Sequence, residues 1–176
     1  MAIQYARVMG GAVVAVDVNE ARLRTAAELG ADHLVNAAEE DAAAAIQRLG
    51  GADAAISTAA TPKAFEQAIA SLARGGTLVC VGLPANNDLV VPIFETVLGG
   101  LTVKGSIVGT HHDLEEVFEL HRRGRTRVLR AGLPLDDVNT TIEAVLDGSA
   151  PAPRMVFDIA GIGAAEDAAA LAAATA

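Results

Sequence analysis

Asp17 has the clearest chemical potential in this chain. It closes the apolar run Ala12–Val16 (AVVAV) and stands just before a helix signal that begins at Glu20. A carboxylate at a strand end can accept hydrogen bonds from both hydroxyls of an adenosine ribose, and its charge repels a 2′-phosphate, which favours NAD over NADP. The same acid could instead be a plain complement to the positive end of a helix dipole. Arg22 lies in the first turn of that helix. It either lays its flat guanidinium near an adenine or is a solvated surface cation. Ser57-Thr58, Gly82-Leu83-Pro84 and Ser106–Thr110 (SIVGT) each close an apolar run. Each is either ligand-lining backbone or an ordinary polar strand end.

The remaining reactive side chains are less suggestive. His33 opens a strand and reads as structural. His111 and His112 are adjacent and read as a loop just before a helix, where neighbours seldom ligate one metal together. His121 falls at a helix end. Cys80 sits inside an apolar run and reads as a small core residue. A single cysteine excludes a disulfide framework and a self-contained cysteine zinc site. There is no GxSxG motif and no recognisable nucleophile arrangement.

The elements that must position these residues alternate from the start. Ala2–Met9 has helical spacing, and Gly10-Gly11 stops it. The run Ala12–Val16 suits a strand buried on both faces. Asn19 is placed to cap a helix over Glu20–Leu29, which Gly30 ends. His33–Asn36 reads as a short strand, Asp41–Leu49 as a helix and Ala52–Thr58 as a strand. Thr61-Pro62 marks a cap and first helical position for a helix running to about Ala73. Gly75-Gly76 reads as a turn into the strand Thr77–Gly82. Pro92–Leu98 reads as a short helix and Leu101–Val108 as a strand. Asp113–Arg123 is a helix with Leu114, Val117, Phe118 and His121 on one side. Val128-Leu129 is a short strand candidate, Asp136–Leu146 the last clear helix and Met155–Ile159 a final strand. Such alternation means βαβ units and a mostly parallel α/β sheet, whose ligands bind beyond the carboxyl ends of the strands. Residues 1–160 read as one domain and 161–176 as an alanine-rich tail.

Composition narrows the classes. Hydrophobic residues make up 52% of the 176-residue chain, enough for a core, and the formal charge is −9. That charge disfavours nucleic acid and anionic membrane as partners. Aromatics at 3% leave little for base stacking. No run reaches membrane length and no signal peptide is visible, so a soluble cytoplasmic domain is expected.

Several segments carry a resemblance. These are AIQYARVMG (residues 2–10), VVAVDVNEARLRTAAELGADHLVN (13–36), RGGTLVCVGLP (74–84), VPIFETVLGGLTVKGSIVGT (91–110), DLEEVFEL (113–120) and PLDDVN (134–139). Together they resemble the cofactor-binding domain of zinc-dependent, NAD-linked alcohol dehydrogenases of the medium-chain superfamily. The resemblance implies a doubly wound, Rossmann-like domain. It implies that Asp17 is the ribose-binding acid and that Arg22 lies beside the adenosine; Ser57 and Thr58, at a strand end, are expected among the cofactor-binding residues as well. Val81, Gly82 and Leu83 would run along the nicotinamide ribose. The backbone of Ser106, Ile107 and Val108 would hold the carboxamide. Arg154 stands where the family has a phosphate-reaching basic residue, although Pro153 replaces the usual preceding glycine. His111 stands where the family often has Arg or Lys.

The family places a first strand and a GLGGLGH-like loop before AIQYAR, and a catalytic domain with Cys and His zinc ligands. The matching segments contain none of these, and Met1 falls at an internal position of the family pattern. A late start codon or a broken gene is therefore expected. The missing first strand is central in a sheet of order 3-2-1-4-5-6, so two strand edges are expected to lack a neighbour. Each buried backbone group left unpaired costs roughly 1–3 kcal/mol. The expected function is that of the cofactor part of an alcohol-oxidising enzyme, inactive alone and a weak NAD binder. A non-catalytic module that dimerises or regulates is the alternative, motivated by the edge strand 101–108. A methyltransferase-like Rossmann enzyme is a weaker third reading.

Overall fold

The computed structural model describes residues 1–86, 88–150 and 152–159. The calls on the tail 161–176 lie outside the described residues. The chain forms two compact units, Ala2–Arg125 and a second that contains Met1 and begins again at Thr126.

The larger unit alternates as the sequence predicts. In order it runs α1 (Ala2–Val8), β1 (Val14–Asp17), α2 (Glu20–Glu28), β2 (His33–Asn36), α3 (Ala42–Arg48), β3 (Ala52–Ser57), α4 (Pro62–Ala70), β4 (Leu72–Cys80), α5 (Ile93–Gly99), β5 (Thr102–Gly105) and α6 (His111–Arg122). Every strand pair is parallel, in two sheets ordered β1-β2 and β3-β4-β5. Helix starts follow side-chain chemistry. The Asn19 side chain accepts from the amides of Ala21 and Arg22, and the Asp41 side chain accepts from the amide of Ala44. Each satisfies donors that a helix leaves free in its first turn. Thr61 holds the N-cap position before Pro62 but makes no side-chain capping bond.

Three details depart from the sequence reading. First, Gly75-Gly76 is not a turn before the strand. Strand β4 already begins at Leu72, and the register jumps from Ala52↔Leu72 to Ala54↔Thr77. The extra residues bulge out, with Gly75 at φ +78°, a conformation that an L side chain resists. Second, α6 starts earlier than expected, because Thr110 and Asp113 form a reciprocal capping box. His111 and His112 are therefore helical and not on a loop. Third, β5 stops at Gly105, so Ser106–Val108 is loop and not strand.

Two apolar clusters hold this unit. Val35, Ala42 and Ala45 gather Val14 and Ala37, while Ile69, Leu72 and Leu78 gather Ala52, Ala55, Cys80 and Leu101. Cys80 is thus a packing residue, as the sequence suggests. In contrast, α6 buries none of its residues, and Leu114 and Phe118 face solvent. Its amphipathic pattern marks a face able to pack, but no described part of the chain covers those two side chains.

The second unit pairs β6 (Ala131–Pro134) with β7 (Met155–Asp158) in parallel. A single 3-10 turn (Leu135–Asp137) leads into α7 (Val138–Asp147) between them. The strand expected at Val128-Leu129 is not formed; pairing begins at Ala131 instead.

Two predictions follow from packing and charge. Leu78 is 0% exposed, so Leu78→Ala should lower the unfolding free energy by about 3 kcal/mol in urea denaturation. Leu83 is 92% exposed, and Leu83→Ala should change it by less than about 0.5 kcal/mol. Comparable losses at both sites would contradict this packing. On α6, the Glu119 carboxyl accepts from Arg122 and Arg123 at 2.6–2.8 Å, which lowers its pKa from 4.5 to about 2. A depressed acid contributes stability that is complete above its unfolded value and is lost as pH falls through its folded one. The contribution of this pair should therefore fade between pH 4.5 and about 2. A carboxyl NMR titration should put the Glu119 midpoint near 2, moving toward 4.5 in Arg122→Ala/Arg123→Ala.

Candidate functional site

The carboxyl ends of the strands in the larger unit gather most of the residues singled out from sequence. Asp17 is the last residue of β1, Ser57 the last of β3, and Thr58 follows it. Val81–Leu83 follow β4 and Ser106–Val108 follow β5.

Backbone bonds stitch three of these ends together. The carbonyl of Ser57 accepts from the amides of Val81 (3.0 Å) and Gly82 (2.9 Å), and the carbonyl of Cys80 accepts from Ser106 (3.0 Å). The turn after β4 lies so close to β3 that a side chain at position 82 has no room. A Cβ there would overlap the carbonyl oxygen of Ala59 and come within 2.9 Å of the carbonyl carbon of Thr58. Gly82 is required by this approach of two backbones, whatever it does toward a ligand. Ala59 had no signal in the sequence, since a partner through its carbonyl leaves no trace in residue type.

Asp17 is oriented from its own turn. Its Oδ1 accepts the amide of Asn19 at 2.9 Å, and its Oδ2 stands 3.9 Å from the Arg22 guanidinium. Both side chains keep access to solvent, so the ion pair is a weak constraint. The carboxylate retains free acceptor positions at the strand end. Asn19 thus does two jobs: its side chain caps α2 and its amide fixes Asp17. Only the first was visible from residue type.

Ser57 is buried, and its Oγ has no hydrogen-bond partner. A buried hydroxyl without a partner is costly unless something else meets it. It lies on the wall of a cleft of about 670 Å³ that β1 and β3 both line. Ser106, Ile107 and Val108 are all exposed, and Val108 is 96% exposed with φ +28°. A positive φ is a strained state for a β-branched residue. The sequence placed this segment near the site but gave no sign of the strain.

Arg154 lies in the second unit, exposed just before β7, and its carbonyl accepts the Ala131 amide at 2.9 Å. The histidines form no site. His112 stands 3.7 Å from both Glu115 and Glu116 on the surface of α6. Among the described residues no group of three or more His, Cys, Asp or Glu could hold a metal ion. Nor is any described helix long and apolar enough to cross a membrane.

Parallel βαβ units with polar residues and tight turns at the strand ends define a Rossmann-like α/β domain, the class expected from the sequence. The comparisons with known proteins agree. The sequence model described as "Zinc-binding dehydrogenase" matches residues 1–123, and the chain belongs to that family. It is 48% identical over 149 residues to an alcohol dehydrogenase of Geobacillus stearothermophilus, covering 84% of this chain and 44% of that protein. It is 45% identical over 159 residues to an alcohol dehydrogenase of Moraxella sp. (strain TAE123), covering 90% of this chain and 46% of that one. Among solved structures, an alcohol dehydrogenase zinc-binding domain protein from Burkholderia ambifaria superposes with a TM-score of 0.83 at 29% identity, over 90% of this chain and 45% of that one. The chain thus spans less than half the length of these relatives.

The close backbone approach at Gly82 yields a test. Gly82→Ala should destabilise the larger unit by about 2 kcal/mol or more, because the obstacle is backbone and cannot rotate away. A thermal melt unchanged within error would show that the two turns separate more easily than their geometry implies.

Proposed function

We propose that this chain is the cofactor-holding part of an NAD-dependent, zinc-type alcohol dehydrogenase. The observation that carries the reading is Asp17, a solvent-accessible carboxylate fixed by the Asn19 amide at the carboxyl end of a parallel strand. Its free acceptor positions suit a pair of ribose hydroxyls. Its charge disfavours a 2′-phosphate. Arg22, 3.9 Å away, would flank the adenosine. The unpartnered Ser57 hydroxyl, with Thr58, and the backbone of Val81, Gly82 and Leu83 would line the middle of the cofactor. Ser106, Ile107 and Val108 would offer amides and carbonyls to the carboxamide. Arg154 is a candidate for the phosphates.

The bound cofactor would supply the hydride acceptor for oxidation of an alcohol to an aldehyde or ketone. The residues of this chain would bind and orient it. They would not activate the alcohol, since the described residues offer no donor set for zinc. On this reading residues 1–160 act as the cofactor domain, and the chain alone is inactive and binds NAD weakly.

A titration of the labelled chain with NAD, followed by amide NMR, tests this. Shifts should cluster at residues 17–22, 57–58, 81–83 and 106–108, with an affinity weaker than micromolar. Asp17→Ala should weaken binding by about tenfold or more, the size expected for hydrogen bonds to a charged acceptor. NADP should bind less well than NAD to the parent chain and about equally to Asp17→Ala. Shifts confined to other surfaces would overturn the assignment, and micromolar affinity would overturn the weak-binding part.

A second reading has support of its own. All four residues of β5 are exposed, and among the described residues its one strand neighbour is β4. An open edge of this kind can pair with a second copy. A homo-oligomer through residues 101–108, with a regulatory or dimerising role, is the corresponding alternative.

A further inference from the structure

The segment between β5 and α6 is held at both of its ends. It runs from Ser106 to Thr110 and contains the strained Val108. At one end the amide of Ser106 donates to the Cys80 carbonyl at 3.0 Å, which carries the ladder of β4 and β5 one step further. At the other end the Asp113 carboxylate takes hold of Thr110. Its Oδ2 accepts from the Thr110 amide at 2.6 Å and from the Thr110 hydroxyl at 2.7 Å. The Thr110 Oγ1 in turn accepts the Asp113 amide at 3.3 Å. Bonds to a charged acceptor are shorter and stronger than neutral ones.

Asp113 also lies against Gly109. A Cβ at Gly109 would stand 3.3 Å from both the Cβ and the Oδ2 of Asp113. The side chain therefore braces the chain at 109 and binds it at 110. Packing does not fix the middle of the segment, because Ile107 is 89% exposed and Val108 96%. A strained backbone persists only where its surroundings determine it. The two end anchors are what determine it here. The Ser106 anchor is backbone to backbone, which most residue types can make. The Asp113 anchor needs a short side chain with an acceptor oxygen, so it is the one that residue type decides. Helix α6 buries none of its residues, so the core does not require an acid at 113.

The positive φ of Val108 has a consequence for binding. An extended strand points its N–H and C=O groups alternately to either side. A residue turned to positive φ breaks that alternation, so the groups of Ser106, Ile107 and Val108 do not simply extend β5. A carboxamide carries both a donor and an acceptor, and it needs a matching acceptor and donor at fixed positions.

We infer that Asp113 is a positioning residue for the nicotinamide end of the cofactor. It holds Thr110 and Gly109 against the first turn of α6, keeps Val108 at positive φ, and so sets the backbone groups that meet the carboxamide. It touches neither cofactor nor substrate itself. This role rests on the cofactor-holding function proposed for the strand ends.

The test uses the full chain and two probes, NAD and ADP-ribose. The second keeps the adenosine, both phosphates and the second ribose but lacks nicotinamide. Asp113→Ala should weaken NAD binding by about fivefold or more and leave ADP-ribose binding within about twofold. Asp113→Asn keeps an acceptor oxygen and should recover most of the NAD affinity. Without ligand, Val108 should show the strong NOE between its own amide and Hα protons that a positive φ produces. That signal should disappear in Asp113→Ala and persist in Asp113→Asn. The amide spectrum of residues 14–80 should be the same in all three proteins, which separates the effect from unfolding. Equal losses for NAD and ADP-ribose would overturn the proposal, by showing a general structural role. A Val108 NOE that survives in Asp113→Ala would overturn it as well. A parent chain that binds both probes, with Asp113→Ala changing neither, overturns this role alone. A parent chain that binds neither probe overturns the cofactor-holding function, and this role with it.

Discussion

Most of the candidate site depends on the parallel ladder through β3, β4 and β5. Parallel strands leave their carboxyl ends side by side, so residues far apart in sequence reach one rim. Ser57, Gly82 and Ser106 are neighbours there because the ladder continues past the last strand residue, with Val81 and Gly82 bonding to Ser57 and Ser106 bonding to Cys80. The ladder is anchored by Leu78, which with Ile69 and Leu72 forms the larger apolar cluster. Helix α4 sits on that cluster through Ile69. A rim made of backbone turns is only as well placed as the strands beneath it.

The same requirement for pairing explains the most unusual feature of the larger unit. Sheet β1-β2 and sheet β3-β4-β5 line one cleft but do not bond to each other. Among the described residues no strand pairs with the free edges of β1 and β3. The strand ends at the site follow from this division. Asp17 with Arg22 belongs to one sheet, and the stitched turns after β3, β4 and β5 belong to the other.

The family match and the local geometry concern the same part of the chain. The match over residues 1–123 rests on sequence alone. The fixed carboxylate of Asp17, the backbone approach at Gly82 and the orphan hydroxyl of Ser57 rest on coordinates. The family match sets aside the methyltransferase-like reading. The exposed apolar residues of α5 and α6, Phe94, Val97 and Phe118 among them, show that the chain leaves surface able to pack against something else.

The sequence by itself determined the order of elements, their parallel class and the strand ends at which to look for chemistry. These are local properties. Apolar runs set β1 and β4, Asn19 and Asp41 set helix starts, and the segments 13–36 and 91–110 carry enough residues to reveal the family. Tertiary structure alone decided the rest. It turned Gly75-Gly76 from a turn into a bulge, because the partner strand fixes the register. It moved His111 and His112 into α6, because the Asp113 carboxylate closes a capping box with Thr110. It gave Gly82 its reason in a carbonyl more than twenty residues earlier in the chain. It placed Arg154 in the second unit, just before β7. The orphan hydroxyl of Ser57 could be seen only there. Whether a polar group has a partner is a property of its neighbours in space, and residue type carries no record of them.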